Sequence, residues 1–294
     1  MTTTYNKVGE VTALYYYPVK SCSRVNVTEG HCHELGMEFD RRWAVVDRGG
    51  KVIGLSSRPE LSLVKPTLTK DSLKLDAPDM ETLYLPLDVL ENDNKDEGCY
   101  VDVCIRGIKG SGLRVSGEAD EWFSKYLGRQ HTLIVFTSNC RPRFLHTHSR
   151  FGKLPLIKES DKVAFAGDTP FLLISEESVK VLNEKCAKFK SDVLRFRPNI
   201  VINGADAFAE DSWSHVRIGE VEFRCLKKCG RCPVPNIDPF SGVKDKEEPL
   251  KTLKEFRQVA QDETDIYGQA PIMGRNLGTE DHGVIKVGDV VYAM

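Results

Sequence analysis

The stretch VRIGEVEFRCLKKCGRCP, residues 216–233, holds the strongest structural signals in this sequence. Its apolar and β-branched residues predict two short strands, 216–218 and 221–226, and Gly219 predicts the tight turn that joins them. The second strand leads into two cysteines three positions apart, Cys229 and Cys232, and then into a proline-rich loop instead of a helix. We therefore expect neither a Rossmann fold nor a P-loop fold, because both need a Gly-rich turn that opens a helix.

Strand-like segments surround this hairpin along most of the chain. They are short, rich in β-branched and aromatic residues, and bounded by turn signals such as DRGGK at 47–51. They cover residues 11–17, 43–47, 61–69, 82–85, 100–106, 132–136, 171–174, 199–203 and 283–292. Helical patterns are fewer, at 118–127, 176–189 and 249–259. This order of elements predicts a mixed α/β (α+β) protein built on twisted or barrel-like sheets.

The composition is typical of a soluble globular protein and argues against several classes of function. Of the 294 residues, 40% are hydrophobic and 29% are charged. Because 41 basic residues face 43 acidic ones, no overall field attracts nucleic acid or an anionic membrane. No apolar run reaches the roughly 20 residues of a transmembrane segment, and the N-terminus lacks the pattern of a secretory signal. The nine cysteines are therefore expected to be reduced thiols in the cytosol.

The cysteine loop KKCGRCP, residues 227–233, is the clearest candidate for chemistry. Neighbouring Lys and Arg side chains lower the pKa of a thiol, and a thiolate is a soft metal ligand. On spacing alone the pair also fits a dithiol redox site, half of a zinc site, or two loop cysteines without a chemical role. The sequence holds no second Cys-x-x-Cys, and the other clusters, 31–33 and 146–148, are typical of solvated loops. These alternatives stay open at the level of spacing.

A second group of candidates is basic. Lys20 and Ser21 follow the first predicted strand, Arg41 precedes another, and Arg197-Pro198-Asn199 leads into an apolar strand. An ammonium, a hydroxyl and guanidinium forks together suit phosphate binding, although each residue alone fits ordinary surface charge. Pro198 restricts Arg197 to extended geometry. The turn at 168–170 presents another hydroxyl, Thr169.

Together these segments resemble the MOSC superfamily, and among its branches the mitochondrial amidoxime-reducing components. The resemblance rests on the motifs YPVKS (17–21), DRRW (40–43), RFRPNIVI (195–202), EDSW (210–213), CGRC (229–232), IDPFSG (237–242) and EEPLKTLKEFR (247–257). They occur in the family's order and span nearly the whole chain. The resemblance implies an N-terminal MOSC β-barrel domain over 7–130, a β-barrel-like MOSC domain over 131–294, and a molybdenum-bound molybdopterin between them.

The resemblance also implies roles for individual residues. Cys232 would bind molybdenum, and Asp238 would be a carboxylate beside the metal site or the substrate. The cofactor contacts would be Lys20, Ser21, Arg41, Thr169, Arg197, Asn199 and Arg231. The loop departs from the family pattern at Gly230, where the family often has Ser, and at 233–236, where PVPN replaces an aliphatic residue and Leu-Thr-Thr. In the family these positions border the open face of the metal, where the substrate would bind.

The implied activity is a molybdenum-dependent oxidoreductase that converts small N-hydroxylated compounds, such as amidoximes and hydroxylamines, to the amine and water. The implied partners are a b-type cytochrome and its NADH-dependent reductase, and the implied role is detoxification. Pyridoxal-phosphate binding, a superfamily keyword, has no visible site here. The alternatives are a non-catalytic carrier of the cofactor or of sulfur, and a thiol oxidoreductase using both loop cysteines. The expected location is cytoplasmic, or the mitochondrial outer membrane if this chain lacks an anchor segment.

Overall fold

The computed structural model describes residues 4–90, 97–186 and 189–294, and it contains both helices and strands. The strands are β1 (Asn6–Tyr16), β2 (Val25–Val27), β3 (Glu29–His33), β4 (Gly36–Met37), β5 (Trp43–Val46), β6 (Lys65–Leu68), β7 (Ser72–Asp76), β8 (Leu83–Pro86), β9 (Tyr100–Ile105), β10 (Ile108–Arg114), β11 (Thr132–Val135), β12 (Arg143–Phe144), β13 (Lys162–Val163), β14 (Phe171–Ser175), β15 (Ile200–Asn203), β16 (His215–Ile218), β17 (Val221–Gly230), β18 (Ile272–Gly278), β19 (Gly283–Lys286) and β20 (Val290–Ala293). The helices are α1 (Gly117–Leu127), α2 (Glu176–Lys185), α3 (Leu250–Phe256) and α4 (Thr264–Tyr267).

The largest sheet closes on itself as a barrel. Its strands follow the order β15-β14-β18-β17-β16-β20-β1, and β1 pairs with β15 to complete the circle, while β2 extends from β1. Only the β14–β15 pair is parallel in this barrel; its other pairs are antiparallel. Inward-facing apolar side chains such as Leu14, Ile202 and Phe223 fill the interior. The predicted mixed α/β fold with a barrel-like sheet is confirmed.

The N-terminal half adds two smaller sheets of its own, and its strands β3 and β4 form a third with β19. One has the order β5-β11-β10-β9 and the other is the meander β6-β7-β8. Helix α1 packs against them, and a large apolar cluster that includes Trp43, Phe123 and Leu133 holds these layers together. Strand β1 comes from the N-terminal end of the chain but lies in the barrel between β15 and β20. The division of the chain at residues 130 and 131 stays a prediction.

The three predicted helices begin within one residue of the predicted positions, but α3 ends at Phe256 instead of 259 and α4 has no predicted counterpart. The Ser116 side chain caps α1 by accepting from the backbone N–H of Ala119, and Gly128 ends the helix at φ 70°. Helix α2 begins as predicted but ends at Lys185, because Cys186 is extended; the predicted continuation to 189 includes residues 187 and 188, which lie outside the described ranges. No helix within the described part of the chain is long and apolar enough to cross a membrane.

Three strand predictions need correction. The segment 61–69 is not one strand, because its first residues belong to a 3-10 helix, Pro59–Leu63, that starts at a proline. The segment 283–292 is two strands in different sheets, β19 and β20, separated by a turn with Gly288 at φ 91°. Strand β17 continues to Gly230, four residues further than predicted, so Cys229 lies within the barrel sheet and Cys232 lies just beyond it.

Candidate functional site

A cavity of about 300 Å³ lies where the end of β17 meets the N-terminal sheets. Eight of the residues predicted for the site line this single cavity: Lys20, Ser21, Arg41, Thr169, Arg197, Asn199, Arg231 and Cys232. They come from five separate places in the sequence. The cavity therefore unites residues that the chain keeps far apart, and Asp238 is the one predicted site residue that does not line it.

Left-handed backbone conformations aim several of these side chains. Ser21, Arg41 and Arg197 have φ values of 75°, 48° and 56°, a region that residues other than glycine rarely adopt. The extended geometry predicted for Arg197 from Pro198 is therefore wrong, because Arg197 ends the 3-10 helix Val193–Phe196 in the left-handed region. Arg106, which also lines the cavity, has φ 52°. Such conformations cost free energy and gather at functional sites, because the surrounding structure must enforce them. Their concentration around one cavity supports a binding role for it.

The guanidinium groups of Arg41 and Arg197 both pack on the ring of Tyr17, each 4.2 Å from the ring centre. Arg41 pairs with the buried carboxylate of Asp40 at 2.6 Å, whereas Arg197 donates to the carbonyl oxygen of Cys22 at 2.8 Å. Burial lowers the pKa of Arg197 to about 10, and the charge of Arg41 acts in the same direction. Arg197 thus carries a buried positive charge that binding of an anion would stabilise.

Asn199 supports the position of Arg41 through hydrogen bonds. Its side-chain oxygen accepts from Arg41 Nη1 and from the backbone N–H of Leu172, both at 3.2 Å. Its side-chain nitrogen donates to the carbonyl oxygen of Tyr15 at 3.1 Å. Because protein groups already satisfy both ends of this amide, Asn199 fixes the position of Arg41.

Lys20 lies in the most basic part of the cavity. Its Nζ donates to the carbonyl oxygen of Phe165 at 2.8 Å. Burial, and then the charges of Arg143 and Arg41, hold the pKa of Lys20 well below its ordinary value. An ammonium group with cationic neighbours and a carbonyl as its hydrogen-bond partner is well placed to receive an anion.

The two loop cysteines have different surroundings. Arg231 Nη1 donates to Cys229 Sγ at 2.9 Å, and Arg231 Nη2 donates to the carbonyl oxygen of Phe196 at 2.7 Å. Cys229 is buried, with 8% of its surface exposed, whereas Cys232 is partly exposed. Cys232 therefore presents the more accessible sulfur to the cavity.

The cavity that holds Cys232 also contains a charged pair that the sequence did not reveal, Asp168 and Arg106. Asp168 accepts from Lys227 Nζ at 2.8 Å and lies 3.0 Å from Arg106 Nε. Burial alone would raise the pKa of Asp168, but the charges of Lys227 and Arg106 outweigh it and hold that pKa well below its usual range. Arg106 and Cys232 line the same cavity, and the negative charges of Asp168 and of Cys232 raise the pKa of Arg106. The residue pair Arg106-Gly107 signals a two-residue hairpin turn in the sequence, but only the fold brings that turn to the cavity.

Arg143 is another residue that the sequence motifs did not indicate. Its hydrogen bonds stabilise the wall of the cavity. It is 1% exposed and donates to the carbonyl oxygens of Ala164, Ala166, Ile105 and Gly167 at 2.6–3.3 Å. Burial lowers its pKa to about 10. Arg143 therefore ties the tip of the β9–β10 hairpin to the segment that carries Asp168 and Thr169.

The lining of the cavity suits a large anionic ligand with polar edges. Five of its residues are basic, namely Lys20, Arg41, Arg106, Arg197 and Arg231, and one, Asp168, is acidic. Among the described residues, Asn276 Nδ2 and Arg231 Nε are buried without a hydrogen-bond partner, and both residues line the cavity. Buried donors without partners cost free energy unless a ligand satisfies them. Asn276 is a further candidate contact, and no sequence motif pointed to it.

Asp238 lies elsewhere, in a groove beside residues 243–247. Its carboxylate pairs with Arg195 at 2.7 Å and accepts from the backbone N–H groups of Phe240 and Ser241. The opposing charge and these two hydrogen bonds outweigh burial and lower the pKa of Asp238. The geometry thus gives Asp238 a role in fixing its own loop and no place in the cavity.

The zinc alternative lacks ligands in this geometry. Over the described ranges, no group of three or more His, Cys, Asp or Glu side chains is arranged to hold a metal ion. A structural zinc site needs four such ligands. A metal at Cys232 would therefore need ligand atoms from a bound molecule in addition to this thiolate.

Comparison with known proteins places the chain in a family. Residues 8–130 match the MOSC N-terminal beta barrel domain, and residues 160–292 match the MOSC domain. The chain is 37% identical to human mitochondrial amidoxime-reducing component 1 over 98% of its length and 84% of the relative's. It is 36% identical to bovine mitochondrial amidoxime reducing component 2 over 98% of its length and 84% of the relative's. The corresponding component 1 of Xenopus laevis is 36% identical over 97% of this chain and 82% of its own. Two MOSC-type domain matches and full-length similarity agree, so this chain belongs to the MOSC-domain family of the amidoxime-reducing components.

Proposed function

We propose that this chain is a molybdenum-cofactor-dependent oxidoreductase that reduces small N-hydroxylated compounds, such as amidoximes and hydroxylamines. Membership in a MOSC family whose relatives are named amidoxime-reducing components supports an oxidoreductase associated with molybdenum cofactor. The observation that carries the proposal is the convergence of cationic side chains and one accessible thiol, Cys232, on a single cavity. The electron source would be an NADH-fed b-type cytochrome.

The residues of the cavity divide naturally between the parts of a molybdenum-bound molybdopterin. Lys20, Ser21, Arg41 and Arg197 supply the ammonium, hydroxyl and guanidinium donors that a phosphate requires. Arg231 and Asn276 offer donors without protein partners to the polar edge of a pterin. The Cys232 thiolate would bind the metal, since a soft sulfur ligand suits it. When bound, the cofactor supplies the reduction of the substrate.

Arg106 and the open side of Cys232 define where a substrate would enter. In the overall reaction the N–O bond of the substrate breaks, two electrons and two protons are taken up, and the oxygen leaves as water. The side chain of Arg106 is 46% exposed, pairs with Asp168 and lines the same cavity as Cys232. Arg106 would therefore orient the polar N–OH group at the mouth, and its neighbours would exclude excess water from the cavity.

Metal analysis by plasma mass spectrometry, with pterin fluorescence, tests cofactor binding on protein from a host that makes the cofactor. Near-stoichiometric molybdenum and pterin are expected, and zinc or no metal would contradict the proposal. Turnover of benzamidoxime with a chemical reductant then tests the reaction. Cofactor binding without turnover would favour the carrier alternative, and cycling of both loop cysteines in a glutathione buffer without metal would favour the thiol oxidoreductase.

A further inference from the structure

Arg106 is the exposed cation of the cavity. The other basic residues of the lining, Lys20, Arg41, Arg197 and Arg231, are buried or half-buried, whereas the side chain of Arg106 is 46% exposed. Arg106 therefore lies where the cavity meets the solvent. It is the positive charge of the lining that an entering molecule meets first.

The backbone holds this arginine in an unfavourable conformation. Arg106 and Gly107 form the two-residue turn between β9 and β10, with φ values of 52° and 82°. Such a turn favours Asn, Asp or Gly at its first position, because these residues adopt a positive φ at the least cost. An arginine here costs free energy that the turn does not require. A strained residue at a cavity indicates a use for its side chain.

An ion pair holds the guanidinium of Arg106 without using its N–H groups. Arg106 Nε lies 3.0 Å from Asp168 Oδ1. Within the described ranges that oxygen accepts no hydrogen bond, while Asp168 Oδ2 accepts from Lys227 Nζ at 2.8 Å. Asp168 thus shares its single charge between two cations. Arg106 keeps a positive charge and donors that a second, incoming carboxylate can use.

The positive charge of the lining exceeds what a phosphate and a metal-bound thiolate would neutralise. The lining carries five basic side chains and one acidic one, Asp168, which is a net of four positive charges when its lysine is an ammonium. Just outside the lining, the buried charges of Lys227 and Asp40 cancel each other. A phosphate monoester brings about two negative charges, so with the Cys232 thiolate about one positive charge remains. Arg106 is the cation that presents this remaining charge to solvent.

The rest of the lining suits the body of a small organic molecule. Leu55, Ile105 and Val234 contribute apolar side chains to the same cavity, and Ile105 directly precedes Arg106. Small-molecule sites typically combine apolar walls with a few polar groups that fix the orientation of the ligand. A guanidinium fork among such walls matches a ligand with a hydrocarbon part and a carboxylate.

We propose that Arg106 is a specificity-determining residue, which makes this chain prefer N-hydroxylated substrates that also carry a carboxylate. The inference deepens the proposed function and rests on it. The guanidinium binds the carboxylate where the cavity opens, and this contact directs the N–OH group of the same molecule toward Cys232. A neutral substrate lacks this second point of attachment and is positioned less well.

The test compares neutral and carboxylate-bearing substrates in cofactor-loaded protein. Benzamidoxime is the neutral substrate, and its 3-carboxy and 4-carboxy derivatives carry the anion; one chemical reductant serves all three. Arg106→Asn removes the cation and places a favoured residue in the turn, so this variant should fold. Arg106→Lys keeps the charge. Lys109→Gln is the matched control, because it removes an exposed cation of the same hairpin that does not line the cavity.

The readout is the ratio of kcat/KM for each carboxylate-bearing substrate to kcat/KM for benzamidoxime. We expect this ratio to fall about tenfold in Arg106→Asn, since a charge-assisted hydrogen bond is lost, and to fall less in Arg106→Lys. The ratio should keep its native value in Lys109→Gln, and added salt should lower it in the native protein. An unchanged ratio for both carboxy isomers in Arg106→Asn would overturn the proposal.

Two further measurements separate the other outcomes. Calorimetry with 4-carbamoylbenzoate, which has no N–O bond to reduce, should show weaker binding to Arg106→Asn than to the native protein; no binding to the native protein would overturn the proposal. Molybdenum and pterin contents should be equal in all four proteins. Their loss in Arg106→Asn would also overturn the proposal and would assign Arg106 to the cofactor. If the native protein fails to reduce benzamidoxime, the proposed function fails, while the calorimetry still reports the anion site.

Discussion

Arg231 donates a hydrogen bond to Cys229 Sγ at 2.9 Å, and this contact gives the two cysteines of the loop different roles. Nη1 of the guanidinium donates to the sulfur of Cys229, and Nη2 donates to the carbonyl oxygen of Phe196. Cys232 has no such buried partner and is partly exposed at the cavity. The loop therefore uses one thiol to position an arginine and leaves the other to bind a ligand.

The first prediction concerns molybdenum retention in the cysteine variants. Cys232→Ala should lose the metal, because the proposed thiolate ligand is removed, whereas Cys229→Ala should keep much of it. Losing the contact from Arg231 to Cys229 should destabilise the fold by about 1–3 kcal/mol, since it leaves a buried donor without its partner. Metal content after gel filtration and thermal unfolding measure the two effects.

Cys229→Ser is the matched control, because a hydroxyl oxygen can still accept from Arg231. It should restore part of the stability that Cys229→Ala loses, with no change in metal content. If both alanine variants lose molybdenum equally, the assignment of Cys232 as the only protein ligand is wrong.

The cavity shows where sequence reasoning succeeds. Arg41 and Arg197 are 156 residues apart, yet a hydrogen bond joins the side chain of Arg41 to the carbonyl oxygen of Arg197. Antiparallel pairing of β1 with β15 brings the segments that carry Arg41 and Arg197 together. No local sequence pattern encodes that pairing. Residue chemistry suggested that these basic residues bind one phosphate, and the resemblance to a family, carried by ordered motifs, assigned them to one cofactor.

Arg106 and Asp238 show where sequence reasoning stops. Arg106 lines the same cavity as Cys232 although it belongs to a hairpin of the N-terminal half, and this tertiary placement has no signature in the turn itself. The resemblance implies that Asp238 is a carboxylate beside the metal site or the substrate, and its carboxylate here pairs with Arg195 and caps its own turn. A side chain's contacts depend on the packing of distant segments, so nearness in sequence to the cysteine loop is a poor guide to them.

A second prediction concerns Arg197, whose buried charge lies on the ring of Tyr17. Arg197→Ala should weaken cofactor retention by about 1.5–3 kcal/mol, the range of a hydrogen bond to a charged group. Arg197→Lys keeps the charge but loses the guanidinium fork that can donate two hydrogen bonds. Its cofactor retention should therefore lie between those of the native protein and Arg197→Ala. Pterin fluorescence measures the cofactor content during dialysis and gives the order of the three proteins. Unchanged occupancy in Arg197→Ala would remove this residue from the binding site.

A third prediction uses the pH dependence of stability at Asp168. Lys227 and Arg106 hold the pKa of this carboxyl well below the unfolded value of 3.8, so its stabilising effect is present above that value. It is lost as the pH falls through the lower, folded-state pKa. Asp168→Asn should therefore cost about 3 kcal/mol at neutral pH, because Lys227 stays buried without its counter-charge. The cost should shrink progressively in urea titrations below pH 3.8.

Asp102→Asn provides the exposed counterpart to this variant. Asp102 also pairs with an arginine, Arg141, but its side chain is 84% exposed. Its loss should change the free energy of unfolding by less than about 1 kcal/mol at any pH. Equal costs for the two asparagine variants would show that the Asp168 pair is no stronger than a surface ion pair.

The last prediction concerns proton uptake at Lys20 when an anion binds. Burial and the neighbouring arginines hold the pKa of Lys20 well below 10.5 in the empty cavity, so its ammonium group loses the proton more readily than that of an exposed lysine. A bound dianion stabilises the ammonium form and raises that pKa, so binding takes up a proton and affinity falls as the pH rises through the lowered pKa. Sulfate is a suitable probe, because it does not titrate near neutral pH. Calorimetry of cofactor-free protein in buffers of different ionisation enthalpy measures the protons taken up. Lys20→Met should abolish the uptake while still binding sulfate weakly through Arg41 and Arg197, and an uptake that persists in Lys20→Met would assign the proton to another group.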